Sequence, residues 1–456
     1  MRLATRPKPA LARRMVMTEA TRQTQGLVWI GYTTRYRTGG AALRRAAEDL
    51  ARRHRRAGAR VRCRPVERKA AFTDEMARLA RDGERITELH LLSHSGVYGP
   101  MFGTTQWPEQ LSPHEWRRLQ IPFAEGGQAF FHACRTARWF APFFARTFGV
   151  TTHGNHWYTT FSGSPERFRP PPWRDPAADV YLVGFPGRTS HGMLATLGKY
   201  SGVARAETMK RFEAATVAGE DTYNSVAPLY DRVFDDISVR TDEVAWLEAH
   251  LPPGRPRVLD LGCGNGALLH RWAGRIAQGT GIDASPGMLA LATARNATHG
   301  HLRFHACPEP TLPLPDQSVD VAVSLLSFRY LDWDPMMAEL KRVLVPGGRL
   351  LVVDMAARAP KASDWPRLLW DKARTDLRAR RRPAWRRDLA VLVGDPRWQA
   401  MLQYNPMRAE HEYIWYLQSR FPGRKVEVLN IGRTARILAF DSGPMSAMQD
   451  VALTWP

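Results

Sequence analysis

Three glycines at alternate positions, Gly262, Gly264 and Gly266, follow Asp260 in the stretch 257–266 (RVLDLGCGNG). Glycine brings the backbone close to a ligand and takes positive φ without steric cost. The free N–H groups that open the next helix favour a negatively charged group. A dinucleotide loop wants G-x-G-x-x-G, so that a pyrophosphate rests on the helix. Here the spacing is G-x-G-x-G, with an acid two residues before the first glycine. A second acid, Asp283, lies 17 residues beyond Gly266. An acid at the end of a second strand suits a two-point grip on ribose hydroxyls. A different chemistry is offered by His94 and Cys134, each just past an apolar stretch. If those stretches are neighbouring strands, both side chains emerge at one sheet edge. A cysteine beside a histidine can be held as thiolate, the reactive form.

The elements that must position these groups follow from the pattern. Residues 26–32, 60–66, 88–93 and 128–132 read as strands, with 150–158 and 180–184 as further ones. Residues 41–54, 73–81 and 139–148 read as helices between them. Strands alternating with helices imply a mostly parallel, three-layer α/β arrangement. After a proline-rich crossing at 165–176, residues 199–218 read as a basic helix, so a linker helix is expected over 201–222. In the second half, 258–259, 279–282, 302–306, 321–326 and 349–354 read as strands. Ser285 and Pro286 cap and open a helix, and a Pro-Gly-Gly turn at 346–348 leads into the fifth strand. Residues 426–430 and 435–440 read as the last two. The expected division is a disordered basic tail (1–25), an α/β domain (26–200), the linker, a second domain (223–442) with an insert at 356–424, and a tail (443–456). The fold class is therefore α/β, as two three-layer αβα domains.

The glycine loop, its preceding acid and the order of the later motifs resemble the class I S-adenosylmethionine (SAM) methyltransferases of type 11. The stretch 283–288 (DASPGM) is similar to that family's Asp-x-Ser-x-x-Met. The lead-in at 223–234 and the stretch 412–423 resemble the ubiquinone/menaquinone C-methyltransferases. The resemblance covers about 220 residues. It implies a Rossmann-like domain whose last strand inserts antiparallel, with SAM as cofactor and a small-molecule methyl acceptor. It also implies the cofactor contacts. Asp260, Gly262, Gly264 and Gly266 would hold the amino-acid end and Asp283 with Ala284 the ribose. Met288 would lie along the adenosine, with Ser324 at the end of strand four. Tyr223 and Tyr230 would fold over the cofactor and offer aromatic faces to its sulfonium. Where the family carries an Asp-Ala pair for the adenine amino group, this chain has Cys307, Pro308 and Glu309, which shifts that contact to backbone groups or to Glu309. Arg329, Tyr330 and Asp332 follow strand four, on the side where acceptors sit. Ser327-Phe-Arg-Tyr330 replaces the Asn/Asp-Pro-Pro-aromatic element of base-amino methyltransferases, which argues against that chemistry.

The first half resembles the caspase-like cysteine peptidases, including the bacterial CHAT domains. There a His-Gly follows the third strand and an Ala-Cys follows the fourth. This chain reads His94-Ser95-Gly96 and His132-Ala133-Cys134-Arg135. The resemblance makes His94 and Cys134 the catalytic candidates of that half. It departs from the pattern at Ser95 and at His132, so a protein-interaction module is the alternative. Zinc could also use His90 with His94, His132 with Cys134, or His153 with His156, but no recognised ligand spacing occurs, and no metal is expected.

Bulk composition bounds the rest. The chain has 456 residues, 44% of them hydrophobic, enough for sizeable cores. No apolar run reaches the ~18 residues of a membrane span. Four scattered cysteines, Cys63, Cys134, Cys263 and Cys307, fit a reducing compartment, so a cytoplasmic protein is expected. Net charge is +21. That invites an anionic partner, and RNA methylation is the alternative it motivates. Only eight of the 65 basic residues are lysine, a skew that coding composition explains as well. The Arg-rich insert helix at 369–389 reads as a solvated face or as pointing to an anionic or carboxylated acceptor or an acidic partner, while the resemblance to the quinone methyltransferases implies a quinone-like acceptor. The aromatics of 412–421 suit either an apolar substrate pocket or core packing.

Overall fold

The computed structural model describes residues 26–37, 40–96, 99–104, 109–162, 181–185, 208–215, 223–307, 311–358, 360–404, 408–433 and 435–449. Among the described residues the first half has ten strands: β1 Leu27–Thr33, β2 Arg60–Val66, β3 Ile86–Leu92, β4 His94–Gly96, β5 Gly99–Met101, β6 Phe123–His132, β7 Thr151–Gly154, β8 Tyr158–Ser162, β9 Tyr181–Phe185 and β10 Lys210–Phe212. Six of them form one sheet in the order β10-β7-β6-β3-β1-β2. All neighbours in it are parallel except β10, which runs antiparallel to β7. The pairs β4–β5 and β8–β9 are separate antiparallel ribbons.

Alternation along β1 shows why this sheet needs two layers of cover. Val28, Ile30 and Tyr32 bury against Leu43, Ala47 and Ala51 of α1 (Gly40–Arg56). Leu27 and Trp29 face the other way, into a core built with α2 (Lys69–Arg81), α3 (Pro113–Arg118) and α4 (Phe140–Phe148). That second core is mostly aromatic: Phe72, Trp116, Phe131, Phe140 and Phe144 meet with ring centroids 4.7–5.8 Å apart.

The second half begins with α5 (Ala227–Phe234) and α6 (Thr241–His250). Its strands are β11 Arg257–Leu261, β12 Gln278–Asp283, β13 Leu302–Ala306, β14 Val319–Leu325, β15 Leu344–Ala357, β16 Glu427–Ile431 and β17 Ala435–Pro444. Between them run α7 (Ala267–Trp272), α8 (Pro286–Arg295), α9 (Trp333–Val343), α10 (Trp365–Arg380), α11 (Pro383–Gly394), α12 (Pro396–Tyr404) and α13 (Glu410–Arg420). The sheet order is β13-β12-β11-β14-β15-β17-β16, and β17 is antiparallel to β15. The antiparallel closing strand is as expected. Period-two burial again divides the strands: Leu259, Ala322, Leu350 and Val352 face α9 and α13, while Val258, Val321, Val323 and Leu351 face α6 and α7.

Two expected boundaries are corrected. Residues 210–212 are not helical; they form β10, which extends the first sheet past residue 200. A three-residue edge strand is too short to show a period of two, so its basic residues read as a helix face. The tail expected from 443 is in part structure: β17 runs to Pro444, and the 3-10 turn Met445–Ala447 buries Met445 in the core.

Candidate active site

The glycine loop leaves β11 at the carboxyl edge of the second sheet. Its turn is closed by the strand beside it, as Gly262 N–H and Cys263 N–H both donate to the Ile282 carbonyl, at 2.7 and 3.0 Å. All three glycines take positive φ: 74°, 53° and 71°. At Gly262 a side chain is excluded, because a Cβ there would fall 2.3 Å from the Ser327 Cβ. At Gly264 a Cβ would meet nothing within 4 Å. That glycine borders open space.

Asp283, at the end of β12, is the anchor of this loop. Its Oδ2 accepts from Gly264 N–H at 2.9 Å and its Oδ1 from Ser285 N–H at 2.8 Å. Burial pushes its carboxyl up, and those backbone donors act against the rise. Asp260 is buried beside it. Desolvation, with the Asp283 charge in addition, raises its carboxyl to about 7. Two neighbouring buried carboxyls next to open space favour a cation. Among the other expected contacts, Ala284 is exposed and Met288 is buried, its N–H capped by Ser285 Oγ at 3.3 Å. Cys307 is buried and its thiol donates to the Thr311 carbonyl at 3.0 Å. Ser324 is fully buried, with its hydroxyl 3.3 Å from the Leu261 carbonyl and 2.6 Å from Ser327 Oγ. Pro308 and Glu309 lie outside the described residues.

The lead-in segment closes over this loop. Asn224 Oδ1 accepts from Ser285 Oγ at 2.6 Å and from Gly287 N–H at 2.8 Å, fastening the start of α8. Asp231 on α5 accepts from Asn265 Nδ2 at 2.8 Å and from Arg295 Nη2 at 2.6 Å. These polar fasteners were not singled out in the sequence. Tyr223 and Tyr230 meet edge to face at 5.7 Å between centroids, and Tyr223 also approaches Tyr330 and Trp398, at 6.3 and 6.4 Å. The Tyr223 and Tyr330 hydroxyls are 3.3 Å apart, and burial holds Tyr223 well above the usual phenol range. The result is an aromatic box whose rings pack on one another and on the core of Val226, Val233 and Leu392, supplied by the lead-in, the end of β14 and the insert helix α12.

The other residues after β14 are committed elsewhere. Arg329 is buried and paired with Asp354, which also accepts from Arg329 N–H at 2.6 Å and from the Tyr413 hydroxyl at 2.7 Å. Asp332 receives Ser112 Oγ at 3.2 Å, a contact from the first half of the chain. The aromatics Tyr413, Tyr416 and Phe421 sit in the core, so core packing is the reading that holds for them. On the insert, Arg374 and Arg378 both pair with Asp242, at 2.7 and 3.0 Å.

In family comparison, residues 259–352 match the profile described as methyltransferase domain. This stretch is therefore similar to a methyltransferase domain. A demethylmenaquinone methyltransferase of Thermus thermophilus is 33% identical over 140 residues, covering 29% of this chain and 63% of that protein. A malonyl-[acyl-carrier protein] O-methyltransferase of Serratia marcescens is 38% identical over 106 residues, covering 23% of this chain and 40% of that protein. The chain thus spans 40–63% of the length of these two relatives. The solved structure of a SAM-dependent methyltransferase from Aquifex aeolicus aligns at a TM-score of 0.32 and 17% identity, over 47% of this chain and 97% of that one.

At the corresponding edge of the first sheet, β3 and β6 are adjacent, with Leu92 opposite His132. His94 and Cys134 therefore follow neighbouring strands. The His94 ring meets Tyr36 edge to face at 5.5 Å. The Cys134 thiol lies 3.3 Å from Thr159 Oγ1 and accepts from Thr159 N–H at 3.3 Å. Ser95 Oγ donates to the Cys134 carbonyl. Glu412 of α13 reaches this edge: a Cβ on Gly96 would fall 2.8 Å from its Oε1. His54, Glu88 and His90 place donor atoms within 4.8 Å of one another, and His90 Nδ1 lies 3.1 Å from His132 Nε2.

Proposed function

We propose that the chain transfers a methyl group from SAM to a small, flat, apolar acceptor of the quinone-like kind. The observation that carries this reading is the Asp283 carboxylate, clamped by two backbone N–H groups beside the open space at Gly264. The residues present fit the donor. Asp283 keeps lone pairs free for ribose hydroxyls, and Asp260 offers a buried carboxylate to an ammonium. Met288 lies at the start of α8, where an adenosine would run. SAM supplies a methyl activated on a sulfonium, and the aromatic faces of Tyr223 and Tyr230 suit such a cation. The rings of Tyr223, Tyr230, Tyr330 and Trp398 would offer a flat acceptor an aromatic wall to stack on, and proximity supplies much of the acceleration. A general base is required only where the acceptor must lose a proton. The named activity of the Thermus relative supports the acceptor class. Isothermal titration of the chain with SAM should show one site, weakened about a hundredfold in Asp283→Ala; no heat from the wild type overturns the reading. Metabolite profiling with labelled SAM, against Gly264→Arg, then identifies the acceptor.

The first half is read as a caspase-like domain fused to this methyltransferase. Its sheet order, with an antiparallel strand at one end, supports that fold, and His94 and Cys134 on neighbouring strands support a thiol chemistry. A thiol-reactive peptide probe should label the wild type and not Cys134→Ala. Equal labelling of both, or of neither, rejects a peptidase and leaves an interaction module.

A further inference from the structure

Helix α10 presents an apolar face to solvent. Trp365, Leu369, Trp370 and Leu377 are 54%, 58%, 69% and 53% exposed. At 3.6 residues per turn they share one arc of about 140° with Pro366 and Ala373, and with the exposed Asp376 and Arg380 in its carboxyl-terminal half. The inner side of the same helix is fully engaged. Leu368 and Asp371 are buried, Asp371 Oδ2 accepts from Ile431 N–H at 3.0 Å, and Arg367 Nη2 donates to the Leu429 carbonyl at 3.2 Å. A surface helix normally turns polar residues outward, and contiguous exposed apolar area of this kind marks an interaction surface.

Its rim is basic. Arg380 and Arg381 end α10, and Arg386 and Arg387 open the next helix; all four are exposed. Lys372 flanks the face and pairs with Asp376 at 2.5 Å. The order of the two chemistries identifies the occupant. A nucleic acid would set phosphates against a basic centre. Here the centre is tryptophan and leucine and the arginines ring it. That arrangement fits the boundary between acyl chains and anionic headgroups, where indole rings settle and arginines reach outward. We propose that the insert docks through this face on an anionic bilayer surface, lying on the membrane rather than crossing it; no described helix is long and apolar enough to span one. Juxtaposed basic residues add to such binding only where the leaflet is negative. Docking would set the mouth of the aromatic box, to which α12 of the same insert contributes Trp398, beside a reservoir of apolar acceptor. That last link rests on the quinone-like reading; the docking itself does not.

The full chain should co-sediment with vesicles of equal parts phosphatidylcholine and phosphatidylglycerol, and not with phosphatidylcholine alone. Its tryptophan emission should shift to the blue on binding. Leu369→Glu with Trp370→Glu should weaken binding at least about tenfold, and both side chains are too exposed for the change to unfold the helix. Neutralising Arg380, Arg381, Arg386 and Arg387 to Gln should weaken it at low salt and flatten its salt dependence. SAM affinity, measured on the same variants, should be unchanged, so a failure of docking leaves methyl transfer standing. Three results overturn the proposal: no binding by the wild type, equal binding by the double Glu variant, or a stable dimer that the double Glu variant dissociates, which would make a second copy the occupant.

Discussion

The carboxyl edges of the two sheets place chemistry-bearing residues in similar positions and treat them differently. At the second sheet, the glycine loop and Asp283 leave open space and two raised carboxyls facing it. At the first sheet, the polar groups around the thiol answer one another, although Ser93 Oγ nearby is buried without a hydrogen-bond partner among the described residues. Cys134 takes a hydrogen bond from Thr159, its carbonyl takes one from Ser95, and Glu412 arrives from the other half of the chain. A ligand site keeps polar capacity and volume unspent, whereas a structural edge spends both. That contrast separates the two halves more sharply than the residue types do.

The largest effect should come from scaffold rather than from either edge. Asp354 is fully buried and holds the Arg329 guanidinium, the Arg329 N–H and the Tyr413 hydroxyl. Asp354→Ala leaves a buried guanidinium uncompensated and should cost about 3–5 kcal/mol, read as a lowered midpoint in urea unfolding. A midpoint close to wild type would mean that water reaches this pair and that the end of β14 is less rigid than described.

Next in size is the contrast itself. Asp283→Ala should weaken SAM binding about a hundredfold, the loss of hydrogen bonds to a charged acceptor together with a loosened glycine loop. Cys134→Ala should leave that affinity within about twofold, since additivity holds for separated sites. A comparable loss from both would show that the two edges form one site, and the comparison would fail.

Protonation sharpens the same point. The Asp260 carboxyl is raised to about 7 by burial and by Asp283. An ammonium bound there requires the carboxylate, so protons compete with the donor below pH 7. SAM affinity should fall by up to about tenfold per unit as pH drops below 7, and Asp260→Asn should bind weakly at every pH with no such slope. The free protein should behave oppositely. A carboxyl whose folded value exceeds its unfolded one makes stability fall as pH rises from about 4 to 7. Thermal unfolding across that window, with and without SAM, separates the two signs.

How much of this was legible in the sequence depended on distance along the chain. The loop at 257–266 and the Ser285–Pro286 cap carry their signals within a few residues, and local backbone geometry decides them; the antiparallel closing strand was legible only through the family resemblance. The fasteners of the lead-in do not. Asp231 meets Asn265 and Arg295 across 34 and 64 positions, and Asn224 meets Ser285 across 61. Nothing in a single sequence pairs an asparagine with a serine so far away. The aromatics of 412–421 were ambiguous because a tyrosine suits a pocket and a core alike; their burial decides between the two, with the Tyr413 hydroxyl given to the buried Asp354 at 2.7 Å and the Tyr416 hydroxyl to the exposed Asp334 at 3.0 Å. Asp332 read as an acceptor-facing acid, and its Ser112 partner is 220 residues away.

The smallest expected effect tests whether the two halves close on each other in solution. Glu412 is buried between them, and desolvation raises its carboxyl, with Arg408, His411 and Arg135 acting against the rise. Because the folded value lies above the unfolded one, this residue contributes less to stability as pH rises. Glu412→Gln removes the titration and keeps an amide oxygen able to accept from Ala409 N–H, the bond Glu412 makes at 3.4 Å. The variant should therefore match wild type near pH 4 and become the more stable of the two by pH 8, by less than the ~1 kcal/mol of a typical hydrogen bond. Melting curves that stay parallel across that range would mean Glu412 is hydrated. The edge carrying His94 and Cys134 would then be open rather than covered, and the distinction between a spent edge and an unspent one would have to be given up for the first sheet.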